Sequence, residues 1–370
     1  MRGVVRGACA LAMSMLSLLL AVGCGGSGGG DSATTRTAAP AREDRAVVTA
    51  RHFLDRYVTE DGRVRRLDQG DDTVGEGQAY GMLLAAAIGD ARRFDAIWGW
   101  TKSNLRRSDG LLAFLWKDGR IRDPQAATDA DVDAARALLV GACRFKRRAL
   151  RTEALTLARA ILAHETASAD GGPLLVAGPW AVRAPVTVNP SYFSPAAFAA
   201  LGAASGDGRW GSLSASARSV TAALMEPPSR LPPDWAQLRG GKPVAIGSPS
   251  EPKSPARFGF DAARTLVRFA EDPDPAGREI AARAWPAFEN REPAEVPVEH
   301  DLSGAPAGGT HHPVVLVAAA GAAYAAGQAD AGRRLLDAAE ALDRQTPTYY
   351  GAAWVALGRM MLTTKRLAAC

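Results

Sequence analysis

Thr73-Val74-Gly75-Glu76-Gly77-Gln78-Ala79-Tyr80-Gly81-Met82 is the stretch on which the reading of this chain turns. Apolar and small residues continue from it to Ile88, and Gly89-Asp90 then closes the run, which predicts a helix over 76–89 with an acid in its first turn. Glycines on both sides of Glu76 let a substrate approach the backbone closely. Tyr80 lies one turn on, along the same helix face. A carboxyl at a helix start among apolar neighbours can have its pKa raised into the range of a proton donor. It can equally do no more than complement the helix dipole, and the segment alone leaves both readings open.

The same signal, an Ala-rich run with apolar residues three and four apart, recurs down the chain. Helices are expected near 43–57, 76–89, 91–106, 129–146, 150–165, 191–204, 209–225, 258–270, 276–290, 311–327, 329–343 and 348–363. Strand signals are scarce: Leu174-Leu175-Val176 and Val186-Thr187-Val188 read at most as short edges. Twelve helices taken as six hairpins suit an all-α toroid in a single domain, with a generic helical array as the alternative. Long Gly/Pro loops at 170–190 and 227–257 are of the kind that lines functional sites.

The 370 residues are 47% hydrophobic and 22% charged, which is globular composition and too apolar for a disordered chain. Lys+Arg number 44 against 39 Asp+Glu, for a net charge of +5. The basic residues sit beside acids on helix faces without interleaved aromatics, so nucleic acid is not an expected partner. Cys9, Cys24, Cys143 and Cys370 show no paired spacing, which excludes a disulfide scaffold or zinc ribbon. Cys143 is expected to be a small buried hydrophobe and Cys370 a terminal thiol without a role. Residues 1–23 read as an export signal: Arg2 and Arg6 precede an apolar run from Ala8 to Val22. Ala21-Val22-Gly23-Cys24 resembles a bacterial lipobox, with Ala where Leu is commoner, which implies lipidation at Cys24. Ordinary secretory cleavage is the alternative. Residues 24–42 read as a flexible Gly/Ser/Thr tether and 43–370 as the folded domain. The expectation is an exported monomer whose contact with a membrane is a lipid anchor.

Two further acidic segments do not look like solvated helix faces. Ala127-Thr128-Asp129-Ala130-Asp131-Val132-Asp133 places three acids in five residues, more than capping a helix requires. No glycine and closing Glu follow at calcium-loop spacing, so no metal is expected there. Phe258-Gly259-Phe260-Asp261-Ala262-Ala263-Arg264 sets an acid between aromatics with Arg264 one turn later. His311-His312-Pro313 lacks the spacing of a zinc motif and reads as a helix start or loop contact. Gly240-Gly241-Lys242 lacks the rest of a phosphate loop, and there is no Gly-x-Ser-x-Gly nucleophile elbow.

Together these segments resemble glycoside hydrolase family 8. Residues 73–82 look like its first hallmark and 127–131 like its second. Phe94 to Asn104, Asp109-Gly110-Leu111, Asn189-Pro190-Ser191-Tyr192-Phe193 and Gly259-Phe260-Asp261 follow in the family's order, over roughly 43–363. The compact length looks most like the endo-β-1,4-glucanases encoded beside bacterial cellulose synthases. The resemblance implies an (α/α)6 barrel and inverting hydrolysis of internal β-1,4 bonds in a glucan, with no metal or organic cofactor. It implies Glu76 as general acid, Asp261 as general base, and Asp129 as the residue holding the sugar at the cleavage point. Tyr192 would contact that sugar or the water. On the substrate side, Trp116 and Trp180 are candidate stacking rings, beside Tyr80 and Arg264, whose expected work is to orient Asp261. The sequence departs from the pattern at Gly75, usually Ser, and at Ala134 and Gly141. Chitosan, mixed-linkage glucan and xylan are alternative substrates, and a non-catalytic glycan-binding envelope lipoprotein is the alternative from another class.

Overall fold

Acids at helix starts and glycines at helix ends delimit the elements. Asp44 and Asp90 accept backbone N–H bonds in the first turns of their helices, and Gly89 and Gly206 end two others in the left-handed conformation. The computed structural model describes residues 44–169 and 172–369. The expectations for the leader, for Cys24 and for the tether fall outside these residues, as does Cys370.

Twelve α-helices follow in order: α1 (Arg45–Tyr57), α2 (Gly75–Ile88), α3 (Ala91–Asn104), α4 (Thr128–Arg144), α5 (Arg148–His164) and α6 (Pro195–Ser205). The second half holds α7 (Arg209–Leu224), α8 (Phe260–Ala270), α9 (Pro275–Ala282), α10 (Pro313–Ala325), α11 (Ala329–Gln345) and α12 (Tyr349–Thr363). The even-numbered helices form an inner ring, α2 to α4 to α6 to α8 to α10 to α12 and back to α2. Each odd-numbered helix packs outside an even one, with α1 covering α12. This is an (α/α)6 barrel.

Composition sorts the two rings. Every residue of α2 is buried except Glu76 and Ile88, and α10 is buried continuously from Pro313 to Ala323. Helices apolar on all sides can sit only where other helices surround them. Outer helix α11 instead buries one stripe: Gly332, Leu335, Leu336, Ala339 and Asp343. Gly141 stands on α4 where a Cβ would come within 2.9 Å of the Phe94 ring, which explains the departure from the family's Ala.

Three expectations need correction. The helix expected over 276–290 stops at Ala282 and resumes as a short 3-10 turn, Trp285–Ala287, because Pro286 has no N–H and disfavours helix at the residue before it. Hairpins form where no strand was expected: Leu115–Lys117 pairs with Arg120–Asp123 between α3 and α4, and Trp235–Arg239 with Lys242–Ile246 in the long loop at 227–257. Both turn on residue pairs of positive φ, Asp118-Gly119 and Gly240-Gly241, the combination that matches strand twist. Cys143 is half-buried and disulfide-bonded, with its partner outside the described residues. It lies in the last turn of α4, past the buried stretch that ends at Gly141, and lines a groove with Leu367, Ala368 and Ala369.

Candidate active site

The first turns of α2, α4 and α8 meet at one end of the ring, and Arg264 of α8 ties them together. Its Nη1 donates to Asp129 Oδ2 at 2.6 Å and to the Tyr80 hydroxyl at 3.0 Å, while Nη2 donates to Asp261 Oδ1 at 2.7 Å. The guanidinium also lies 5.3 Å from the centroid of the Tyr192 ring. A planar fork with donors in fixed directions can hold two carboxylates and a phenol at once; a lysine could not.

Asp261 and Asp129 are treated differently by this bridge. The Asp129 side chain is fully buried, whereas that of Asp261 keeps 31% of its surface. The second oxygen of Asp261 accepts from Asn189 Nδ2 at 3.0 Å. Asn189 is oriented by its own Oδ1, which accepts from the Ser191 N–H and hydroxyl, so its amide nitrogen faces Asp261. Burial pushes the Asp129 carboxyl up, and Arg264 pulls the other way.

Glu76 begins α2 beside this cluster. Its carboxyl is pushed up to about 7, first by burial and then by the Asp129 charge; Arg264 opposes, Asp261 adds to the rise and Arg66 opposes it. The group therefore carries a proton near neutrality while part of its surface stays open.

The flanking glycines make room for protein rather than ligand, contrary to the sequence reading. A Cβ on Gly77 would lie 2.6 Å from the Tyr349 hydroxyl, and one on Gly75 would be 3.1 Å from the Ala113 carbonyl and 3.2 Å from Ala130. Tyr80 is likewise corrected: fully buried against Trp354, it offers no surface to a substrate, and its hydroxyl serves Arg264. Arg264 is 2% exposed and is engaged by protein groups. Trp116 pairs across strands with Thr73, just before Glu76, with Trp100 at its edge and the Arg63 guanidinium 4.7 Å over its ring. Trp180 is 41% exposed. It stands 6.4 Å from Trp235, which stands 6.1 Å from Tyr192, so three rings lead outward from Arg264.

The other acids of α4 have separate partners. Asp133 receives both Nη atoms of Arg268, at 2.8 and 2.7 Å, within the barrel. Arg136 makes the corresponding pair with Glu271 at 2.6 and 2.9 Å. Asp131 accepts from the Leu112 N–H at 3.0 Å and faces Glu165. Burial pushes Glu165 up to about 8.

Sequence reasoning missed Trp235, Asn189 as a partner of Asp261, and Asp234. Pro232-Pro233-Asp234-Trp235 was the available signal, a rigid turn delivering an acid and a ring, but no periodicity marks it. Asp234 and Trp235 line a cavity of about 170 Å³ with Arg257, Phe260, Asp261 and Glu299. Among the described residues no group of three or more His, Cys, Asp or Glu is placed to hold a metal ion, and no helix is long and apolar enough to cross a membrane. His312 caps α10, accepting from the Val314 N–H.

Comparison with known proteins identifies the fold and the family. The chain is 31% identical over 229 residues to a probable endoglucanase of Novacetimonas hansenii, covering 59% of this chain and 64% of the relative. It is 30% identical over 218 residues to an endoglucanase of Cellulomonas uda, covering 56% and 59%. The match thus spans less than two thirds of either relative's length. The solved endo-β-1,4-glucanase CMCax of Acetobacter xylinum superposes with a TM-score of 0.74 at 27% identity, covering 86% of this chain and 98% of that one. A β-1,3-1,4-glucanase of Paenibacillus sp. X4, at 19% identity, shares the fold with a TM-score of 0.76. The family model for Glycosyl hydrolases family 8 matches residues 38–364, and the chain belongs to that family.

Proposed function

We propose that this protein is an inverting endo-β-1,4-glucanase acting on cellulose-like glucan. The observation that carries the reading is the Arg264 bridge: it holds Asp129 and the half-open Asp261 beside a Glu76 whose carboxyl is protonated near neutrality. Glu76 donates its proton to the glycosidic oxygen as the C1–O bond breaks. Asp261 takes a proton from a water that attacks C1 from the opposite face, giving the inverted anomer. Asp129 governs the point of cleavage from behind Arg264: its enclosed carboxyl holds the bridge and raises the proton affinity of Glu76. Trp180 and Trp235 offer ring faces to sugars along the cleft, and Trp116 a further one on the Glu76 side, while the buried Tyr192, its face under Arg264, meets the sugar or the water through its hydroxyl. The endoglucanase relatives at 27–31% identity favour β-1,4-glucan over xylan or mixed-linkage glucan.

The leader and lipobox-like segment support export with a lipid anchor at Cys24 in the bacterial envelope, and the enzyme is proposed to work as a monomer. Reducing-sugar release from carboxymethylcellulose tests the activity. The wild type should be active, with Glu76→Gln and Asp261→Asn near background. A folded wild type inert on carboxymethylcellulose, chitosan, xylan and mixed-linkage glucan would leave a glycan-binding role in place of hydrolysis.

A further inference from the structure

Helix α8 carries Asp261 in its first turn, yet its N-cap is Gly259, which has no side chain to satisfy the free N–H groups there. The missing acceptor comes from 25 residues upstream. Asp234 Oδ1 accepts from the Gly259 N–H at 3.0 Å and from the Ala262 N–H at 2.7 Å. These two donors bracket Asp261 along the chain, so one carboxyl oxygen fixes the backbone on both sides of it. Asp234 is fixed in turn: its N–H donates to the Arg257 carbonyl at 2.8 Å, and the Arg257 Nε lies 3.8 Å from Oδ2. Its side chain is only 14% exposed.

Gly259 answers to the same arrangement. A Cβ there would lie 2.6 Å from Asp234 Oδ2, so the residue before Phe260 must lack one if the carboxyl is to reach the helix end. Gly259 and Asp234 are therefore two halves of one device. The hydrogen bonds do not need Asp234 to be ionised: burial and the Asp261 charge push its carboxyl up to about 7, and either form presents an accepting oxygen.

We infer that Asp234 is a positioning residue for Asp261, setting the backbone from which the base reaches its water by capping α8 in place of the helix's own N-cap. The inference rests on the proposed role of Asp261. The test uses the full chain on carboxymethylcellulose, with kcat and KM measured separately. Asp234→Ala should lower kcat about a hundredfold, the usual effect of displacing a catalytic group by about an ångström, with KM within about twofold. Asp234→Asn keeps an accepting oxygen and should hold kcat within about threefold of wild type. Gly259→Ala, which drives a methyl against the carboxyl, should reproduce the loss with Asp234 intact. Unchanged kcat in Asp234→Ala, or equal loss in Asp234→Asn, would overturn the inference. Asp261→Asn, run alongside, separates the failures. If it keeps wild-type turnover the base assignment itself falls, and if it is inactive while Asp234→Ala is normal only the positioning role falls.

Discussion

Raising the pH should switch the enzyme off through Glu76. Its carboxyl titrates at about 7 where an ordinary one titrates at 4.5. At pH 7 half the molecules would then hold the donor proton, against roughly one in three hundred for an unperturbed carboxyl, so burial raises the competent fraction about a hundredfold. The sign follows from the proton that Glu76 is proposed to donate: with the acid form active, turnover should hold below the midpoint and fall about tenfold per unit above it. Asp129 is the largest charge contribution to the rise and Arg264 the largest opposing it. Asp129→Asn removes the first and frees the second, so both effects make Glu76 easier to ionise. The alkaline limb of kcat should move to lower pH by on the order of one unit, the usual reach of one nearby charge. Because Asp129→Asn also loosens the Arg264 bridge, the position of the limb is read rather than its height. Initial rates on saturating carboxymethylcellulose from about pH 5 to pH 9 give both curves. Wild-type turnover flat through the alkaline range, or a variant limb that stays or moves up, would refute the reasoning.

Arg268→Met leaves Asp133 buried without its partner and should cost about 3–5 kcal/mol in urea unfolding, whereas adding Asp133→Leu should restore most of it. A single variant within about 1 kcal/mol of wild type would show that water reaches the pair. Trp180→Ala, which removes the exposed outer ring of the row ending at Tyr192, should raise KM about tenfold with little change in kcat. An unchanged KM would remove Trp180 from the cleft.

Inner helices α2 and α10 were legible because they are apolar on every side and are marked by Gly89 at the end of one and Pro313 at the start of the other, signals that survive in a single sequence. Glu76, Asp129 and Asp261 were legible because each opens a helix in unusual company. What was not legible depends on partners far along the chain. The sequence put Tyr80 on the face of Glu76 but could not show that Trp354 and Arg264 enclose it. The glycines around Glu76 advertise closeness without saying to what, and Tyr349 supplies the answer. Asp234 caps a helix 25 residues downstream, which no local pattern encodes. The hairpins could have been found: Asp118-Gly119 and Gly240-Gly241 are turn signals that outweigh the weak alternation around them.

The three pairs joining α4 to α8 share one spacing in the chain: Asp129 with Arg264, Asp133 with Arg268 and Arg136 with Glu271. The third reverses the signs of the first two, and that reversal acts as a reading frame. If α8 slid three residues one way, Asp133 would face Glu271; three residues the other way, Arg136 would face Arg268. Either slip buries like charges where the native frame buries opposites, which disfavours both. The top rung of that frame holds both Asp129 and Asp261, so the same punctuation that disfavours slippage sets the height at which Asp129 and the proposed base confront each other.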